Sequence, residues 1–460
     1  MLQTFLLALT PALFLFDDLY ISRNVLIFLY LECVLISFWG RTGNIFQIFL
    51  ALVFLFNLAN PIFEALGLYN FPTNNLMLLG DGITTPISDQ VLNETYIAMC
   101  AFLIGSSVGW ILSLFTLYSH DNTPSRVIFK CNSSFSLSGF ISVIFYITFF
   151  IVVARSVLLT YYAGIYGYVD VIHSHKTELN IPLIFELFEL FYKLVGSMFV
   201  FYRVNQKDFI RRSLIFIIPF WILFLAGSRG EAIAVTLALV LIYTHHYRSF
   251  KMSRYVKYFL ILFIIGVLMG SYRFMNNPDF MLIIFDIINL SLFHFVGNAS
   301  SLAVLSYTIV LKDEFFNSVP FLFGYIDSLF SFAPNYTVEG VMQKNYLAQH
   351  ITYLLNPEKL LRGSTIGTAQ VAEFYELVGG SIYFLGLVSA LYLFVSQFFL
   401  RIIFNNPILF YVGLTYIEFF ILSPRGSVFK FINKESVTML AIVIFFSLII
   451  KFYKNRHRPN

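Results

Sequence analysis

The chain has 460 residues, of which 58% are hydrophobic and 12% charged, with a formal net charge of +4 at pH 7. A soluble protein carries about twice that fraction of charged residues, so these values exclude a soluble globular class. The basic residues are dispersed along the chain and do not imply a nucleic-acid partner. The apolar runs are continuous rather than alternating, which predicts an all-α, polytopic integral membrane protein.

About twelve apolar segments are long enough to cross a bilayer, which takes roughly 17 to 25 residues per helix. Their cores lie near 2–16, 24–39, 44–66, 95–118, 138–163, 181–202, 213–227, 232–246, 256–271, 369–396, 406–422 and 437–452. The apolar segments 281–296 and 299–311 are candidates for re-entrant or interfacial helices. We therefore predict nine membrane helices in residues 1–272, one large loop at 273–368 and three further membrane helices in 369–460.

The distribution of Lys and Arg predicts the orientation of these segments. More than half of the 29 basic residues fall in alternate loops, among them 203–212, 248–257 and 451–458. The positive-inside rule places these loops and both termini in the cytoplasm. The long loop at 273–368 then lies on the outer side, where a loop of this length is usually a lid or a binding element.

A charged turn connects the seventh and eighth segments, where residues 224–234 read FLAGSRGEAIA. An arginine at such a turn is costly unless it meets an anion or a partner, and Arg229 is predicted there, on the outer side. Arg273, Arg362 and Arg425 are predicted on the same side. Arginine stays charged and its planar guanidinium suits phosphate oxygens. These four residues are therefore candidates for binding a lipid pyrophosphate.

Each of these arginines has a plainer interpretation, as a headgroup contact or as the partner of a nearby acid such as Glu231. That interpretation is weaker for the four together, because three of them lie beside glycine or serine, whose small size lets the backbone approach a ligand. Arg155 lies within the fifth segment, and Glu186, Glu189 and Lys193 lie within the sixth. We expect a structural ion pair between these two helices; a second phosphate contact at Arg155 is the alternative.

Two acids open the tenth segment, where residues 367–380 read GTAQVAEFYELVGG. Glu373 and Glu376 lie three residues apart and so share one face of a helix. Acids in the first turns of a membrane span are costly. A carboxylate here would orient an arginine or accept a proton from a sugar hydroxyl. The alternative is a helix N-terminal acid that complements the helix dipole, which explains one glutamate better than two.

Other polar residues are weaker candidates for a catalytic base or a metal ligand. The pair Asp17 and Asp18 occupies the first outer loop and is predicted to be a solvated turn, although an acid at this place is also a candidate base. The histidines at 173 and 175 have no matching cluster of metal ligands. His350 is a further candidate general base. We predict no metal site and no cofactor.

Short motifs in the second half of the chain resemble the O-antigen polysaccharide polymerases of the Wzy type. The motifs are GSRGE at 227–231, GNASS at 297–301, GSTIG at 363–367, AEFY at 372–375 and SPRG at 423–426. The first half of the chain matches this family only in hydropathy and in the number of segments.

The resemblance implies a glycosyltransferase of the broad GT-C type in the bacterial inner membrane. Such an enzyme joins undecaprenyl-pyrophosphate-linked oligosaccharide repeat units on the periplasmic side, and a chain-length regulator protein is an expected partner. The resemblance also implies functional roles for the outer arginines. We assign catalysis to Glu373, Arg229 and Arg425. The candidates for binding pyrophosphate or glycan are Arg229, Arg273, Arg362, Arg425, Tyr375 and Asn298.

Three other functions were weighed against polymerisation. A flippase or another transporter of lipid-linked oligosaccharide predicts paired repeats and broken helices at matching positions in two halves, and the sequence shows neither. An O-antigen ligase shares the pyrophosphate chemistry, and the motifs do not separate it from a polymerase. A noncatalytic scaffold leaves the outer arginines unexplained.

Overall fold

The structure is a computed structural model. It describes residues 18–38, 45–67, 87–117, 135–166, 183–201, 206–226, 229–247, 300–315, 320–331, 337–344, 346–361, 365–405 and 407–428, with isolated positions from 432 to 444. Within these residues the chain is helical and contains no strand. This confirms the prediction of an all-α protein.

Fifteen helices, numbered in chain order, account for most of the described residues. They are α1 (Leu19–Ser37), α2 (Ile45–Ala65), α3 (Asp89–Leu117), α4 (Phe135–Tyr166), α5 (Leu183–Phe201), α6 (Gln206–Ala226), α7 (Arg229–Tyr247), α8 (Ser300–Leu311), α9 (Gly324–Phe330), α10 (Val338–Lys344), α11 (Leu347–Leu355), α12 (Pro357–Leu361), α13 (Gln370–Leu377), α14 (Ile382–Asn405) and α15 (Pro407–Leu422).

Five of the described helices are long and apolar enough to cross a membrane. They are Leu19–Ser37, Ile45–Ala65, Asp89–Thr116, Gly139–Ala163 and Ile382–Ile403. This agrees with a polytopic membrane protein. The predicted segments 2–16 and 256–271 lie outside the described residues, so the number of twelve spans stays a prediction. The GT-C architecture, the outer loop and the three predicted domains also stay predictions.

The predicted tenth segment, 369–396, is not one helix. Helix α13 ends at Leu377, and α14 begins at Ile382. Gly379 and Gly380 lie between them with φ angles of 60° and 80°, a left-handed conformation that glycine adopts at little cost. The two predicted acids of this segment therefore belong to a short separate helix, α13, outside the candidate spans.

The chain divides into two compact units. The first comprises Met1–Asn122, Ser249–Phe398 and Ile421–Lys430. In it α1 packs along α3, and α3 crosses α14 closely: a Cβ atom on Gly105 would overlap the carbonyl oxygen of Gly386. Small residues at a crossing let the backbones of two membrane helices approach each other.

The second unit comprises Thr123–Arg248, Phe399–Phe420 and Phe431–Asn460. In it α4 packs against α5 and α6, and α6 packs against α7. Helix α6 ends at Ala226 and α7 begins at Arg229, so the two helices predicted on either side of this motif are present and only two residues separate them.

Candidate functional site

Arg425 is the exposed residue of a short turn whose other residues are largely buried. The turn is a 3₁₀ helix, Ser423–Arg425, that directly follows α15. Ser423 and Pro424 are buried, whereas Arg425 is exposed. Its guanidinium carbon lies 5.5 Å from the centroid of the Phe56 ring, within the range of a cation–π contact. The side chain of Arg425 is therefore exposed, while the residues before it in the turn are packed inside the first unit.

Two side chains of α13 hold this turn on both sides of its arginine. Glu373 accepts a hydrogen bond from the backbone N–H of Val428 at 2.9 Å and one from the hydroxyl of Ser427 at 3.0 Å. The side-chain oxygen of Gln370 accepts a hydrogen bond from the hydroxyl of Ser423 at 3.0 Å. Gln370 and Glu373 lie three residues apart and share one face of the helix. Helix α13 thus fixes the position of the turn.

The carboxyl group of Glu373 lies in a nearly dry environment, since the residue is 2% exposed. Burial raises the pKa of Glu373 to about 8, and the hydrogen bonds from Val428, Ser427 and Thr368 oppose this rise only in part. A pKa near neutrality suits the predicted role as an acceptor of a proton from a sugar hydroxyl, because the pKa of an effective base lies near the working pH.

Glu376 lies one turn further along α13 and is less deeply buried than Glu373. Its carboxylate accepts a hydrogen bond from the backbone N–H of Phe321 at 3.1 Å, which attaches the segment 320–331 to α13. Burial raises the pKa of Glu376 to about 7. Two carboxyl groups with raised pKa values therefore lie on one short helix beside the arginine turn.

Tyr375, a predicted glycan-binding residue, is buried between α13 and α3. Its hydroxyl donates a hydrogen bond to the carboxylate of Glu94. A Cβ atom on Gly380 would lie 3.1 Å from this hydroxyl, so the glycine turn after α13 leaves little room beside the tyrosine. In this conformation Tyr375 links two helices of the first unit.

Asn57 of α2 contacts the arginine turn, and Asn60 lies three residues further along the same helix. The α-helix is interrupted by a π-helical turn, Phe54–Leu58, and Pro61 follows. The side-chain nitrogen of Asn57 donates to the carbonyl oxygen of Pro424 at 3.4 Å. Asn57 and Asn60 are 1% and 0% exposed. Sequence reasoning missed both residues; the available signal was the pattern Asn-x-x-Asn-Pro inside an apolar run.

The structure describes less of the other three predicted arginines than of Arg425. Arg229 is the first residue of α7, and its backbone is described. Arg273, Arg362 and Asn298 lie outside the described residues. Of the predicted site residues, the first unit therefore brings together Glu373, Tyr375 and Arg425 around α13 and the turn that it supports.

The second unit contains two ion pairs in its helical core. Arg155 of α4 pairs with Glu189 of α5, which confirms the predicted ion pair between these helices. Lys193, one turn further along α5, pairs with Glu231 in the first turn of α7. The second pair was not predicted, and it connects α5 to the start of the helix that begins at Arg229.

Two remaining candidates from the sequence analysis, Asp18 and His350, have hydrogen-bond partners within the fold. Asp18 caps the N-terminus of α1 by accepting hydrogen bonds from the N–H groups of Tyr20 and Ile21. His350 is fully buried, its Nδ1 lies 3.1 Å from the carbonyl oxygen of Tyr346, and burial lowers its pKa. In the described part of the chain no group of three His, Cys, Asp or Glu side chains is arranged to hold a metal ion. Metal independence stays a prediction.

Comparison with known proteins extends the resemblance to nearly the whole chain. The family model described as O-antigen polysaccharide polymerase Wzy matches residues 1–457. No curated protein and no solved structure matches the chain.

Proposed function

The chain belongs to the O-antigen polysaccharide polymerase Wzy family, and we propose that it joins undecaprenyl-pyrophosphate-linked O-antigen repeat units on the periplasmic face of the inner membrane. The family supports a membrane glycosyltransferase of lipopolysaccharide biosynthesis that acts on lipid-linked oligosaccharide. The lipid carrier, the side of the membrane and the residues that carry the reaction belong to the proposal.

The reaction exchanges one glycosidic bond for another. A hydroxyl oxygen of the acceptor unit attacks the anomeric carbon of the donor glycan, and the bond from this carbon to the pyrophosphate oxygen breaks. The electron pair leaves with the pyrophosphate lipid, and the proton of the hydroxyl passes to a base. Negative charge therefore grows on the pyrophosphate, and a fixed cation binds it more tightly in the transition state than in the ground state.

The exposed Arg425 on its supported turn is the observation that carries the proposal. Gln370 and Glu373 of α13 are hydrogen-bonded to residues on both sides of Arg425, so the backbone that carries the guanidinium is held in place. Arg229 is proposed as a second catalytic cation, and Arg273 and Arg362 as further pyrophosphate contacts. Asn298 and Tyr375 are proposed to bind the glycan; Tyr375 would have to exchange its bond with Glu94 for one to the sugar.

Glu373 is proposed as the base that accepts the proton of the acceptor hydroxyl. Its pKa of about 8 favours proton uptake near neutral pH. A single base on the face opposite the leaving group predicts inversion at the anomeric carbon. Its hydrogen bonds to Ser427 and Val428 give it a second role, which is to keep the arginine turn in place.

Replacement of the two catalytic arginines in the native host tests the proposal. We expect Arg425→Ala and Arg229→Ala to reduce surface lipopolysaccharide from a ladder to a single repeat unit at normal protein level. Loss of one such cation should cost on the order of 3 kcal/mol in the barrier. Arg211→Ala is the control, because Arg211 is exposed on α6 and is predicted on the cytoplasmic side.

The other outcomes distinguish the alternative functions. A persistent ladder in both variants contradicts the assignment of these arginines to catalysis. The loss of all repeat units from the surface, including the single unit, would favour export by a flippase or transfer by a ligase over polymerisation.

A further inference from the structure

Several side chains in the first unit are buried with hydrogen-bonding atoms that no described residue satisfies. Asn60 has neither its side-chain nitrogen nor its oxygen paired, and Asn57 has its oxygen unpaired. Both residues are at least 99% buried. A buried amide without a partner is unfavourable, and native folds retain very few of them without a reason such as a ligand or an ordered water.

These atoms lie on elements that pack against one another. The π-helical turn of α2 contacts α8 and the arginine turn, and α13 contacts the same two elements. Helix α8 contributes the unpaired hydroxyl of Ser301, and α13 contributes the unpaired side-chain nitrogen of Gln370. Unpaired donors and acceptors are therefore found on three elements around the turn that carries Arg425.

The local backbone of α2 is also unusual at this place. The π-helical turn Phe54–Leu58 contains Asn57, and such turns inside α-helices occur frequently at functional sites. Pro61 lacks an N–H group, so it cannot donate to the carbonyl of Asn57 four residues earlier. The interrupted helix coincides, at one part of the second span, with the unpaired oxygen of Asn57 and the unpaired amide of Asn60.

We propose that Asn57 and Asn60 form a subsite for the hydroxyl groups of the sugar that is joined to the pyrophosphate. The inference rests on the proposed function. An amide offers a donor and an acceptor together, and a sugar hydroxyl requires both. The guanidinium carbon of Arg425 lies 5.5 Å from the ring centroid of Phe56, the residue next to Asn57. A pyrophosphate held by this arginine therefore places its first sugar near Asn57, and Asn60 lies one turn further along α2.

Entry of the sugar requires the hydrogen bond between Asn57 and the carbonyl of Pro424 to open. The two asparagines are buried in the conformation described here, and the side chain of Asn57 is attached to Pro424 by a long hydrogen bond of 3.4 Å. Little is lost when this bond is exchanged for one to a hydroxyl group. The subsite selects for the sugar next to the leaving group, at the reacting end of the donor.

Asn60→Leu and Asn57→Leu, expressed as full chains in a host strain that lacks its own copy of the gene, test the subsite on the host's lipid-linked repeat units. Leucine has the same number of side-chain heavy atoms as asparagine and removes the unpaired polar atoms, so we expect the Tm of Asn60→Leu in detergent to be unchanged or higher. Asn57→Leu also loses the long bond to Pro424, so its Tm serves as the reference for that loss. We expect the ladder beyond one repeat unit to fall by about tenfold or more, as for the loss of one hydrogen bond to substrate.

Asn93→Leu is the matched control, because the side-chain oxygen of this buried asparagine accepts a hydrogen bond from Ser22. It should lower Tm and reduce the ladder only as far as the protein level falls. A full ladder with Asn60→Leu overturns the subsite, and so does a ladder that merely follows the protein level with a Tm as low as in the control. If the wild-type chain restores no ladder in this strain, the proposed function fails as well.

Discussion

Glu373 accepts a hydrogen bond from the backbone N–H of Val428, which lies 55 residues further along the chain. The bond connects α13 to the segment just after Arg425. The pKa of the buried acid is raised to about 8, and the arginine is exposed. The proposed base and the arginine proposed to bind phosphate are thereby carried by two short elements that are hydrogen-bonded to each other.

Replacement of Glu373 separates its two proposed roles. Glu373→Gln keeps a carbonyl oxygen for Ser427 and Val428 but cannot take up a proton. We expect its Tm to stay near that of the wild type and its polymerisation rate to fall by about 100-fold or more, the usual contribution of a general base. Quantification of the lipopolysaccharide ladder at equal protein level measures the rate. Normal polymerisation by Glu373→Gln would restrict Glu373 to the support of the turn.

Glu373→Ala should affect folding as well as activity. It leaves the buried N–H group of Val428 and the hydroxyl of Ser427 without their acceptor, at a cost of about 1 to 3 kcal/mol for each unsatisfied group. We expect a lower Tm than for Glu373→Gln in detergent. Equal Tm values for the two variants would show that the hydrogen bonds to the turn contribute little to stability.

The raised pKa values of α13 predict that stability decreases with pH. Glu373 has a pKa of about 8 in the folded chain against 4.5 unperturbed, so the folded state binds more protons than the unfolded state between these values. Glu376 acts in the same direction up to about pH 7. Their stabilisation is complete below about pH 4.5 and is lost as pH rises to about 8. Measured Tm should fall over this window, and less steeply in Glu373→Gln.

Protonation of Glu373, which stabilises the fold, is expected to reduce catalysis. If Glu373 is the base, polymerisation requires its deprotonated form and should increase with pH up to about 8. Polymerisation in isolated membranes over a pH series measures this. A rate that is independent of pH from 6 to 8, in that same assay, would argue against Glu373 as the base.

The close approach of α3 to α14 predicts that replacement by alanine affects Tm very differently at Gly105 and at Gly139. A Cβ atom on Gly105 would overlap the carbonyl oxygen of Gly386, whereas one on Gly139 of α4 meets no atom within 4 Å. We expect Gly105→Ala to lower Tm, since the helices must move apart. Gly139→Ala should leave Tm unchanged or raise it, because alanine is favoured over glycine in a helix by about 1 kcal/mol.

The ion pair between Lys193 and Glu231 predicts that replacing one partner lowers Tm more than replacing both. Lys193→Met leaves the carboxylate of Glu231 without this cation. The two side chains are 18% and 23% exposed, so we expect a loss of stability below the roughly 3 to 5 kcal/mol that breaking a fully buried pair costs. Lys193→Met combined with Glu231→Leu should recover much of the lost Tm. A double variant as unstable as the single one would mean that the electrostatic interactions of Lys193 with Glu189 and Glu418 matter more than its pair with Glu231.

Metal independence is tested most directly by chelation. Because the pyrophosphate is already a good leaving group and arginines are proposed to neutralise it, polymerisation in washed membranes should continue in EDTA. Loss of activity that returns on addition of Mg²⁺ would contradict the prediction.

The sequence alone predicted the class of the fold and part of the site. Continuous apolar runs indicate membrane helices, and the GSRGE motif marked the short connection that the structure places between α6 and α7. Arg425 and Glu373 were singled out because a charge beside a span requires a reason. The extent of the tenth segment was wrong: hydropathy continues across Gly379 and Gly380, while the backbone turns there.

Only the tertiary structure decided which of these residues act on one another. Hydropathy and charge are local properties of the chain, so they locate helices and costly residues. Hydrogen-bond partners depend on which distant segments pack together: Glu373 meets Val428, and Asn57 meets Pro424 across 367 residues. The sequence therefore determined a helical membrane protein with Arg425 and Glu373 near the ends of apolar segments. Packing determined that the acid supports the arginine's turn, and that buried side-chain atoms of Asn57 and Asn60 lack partners.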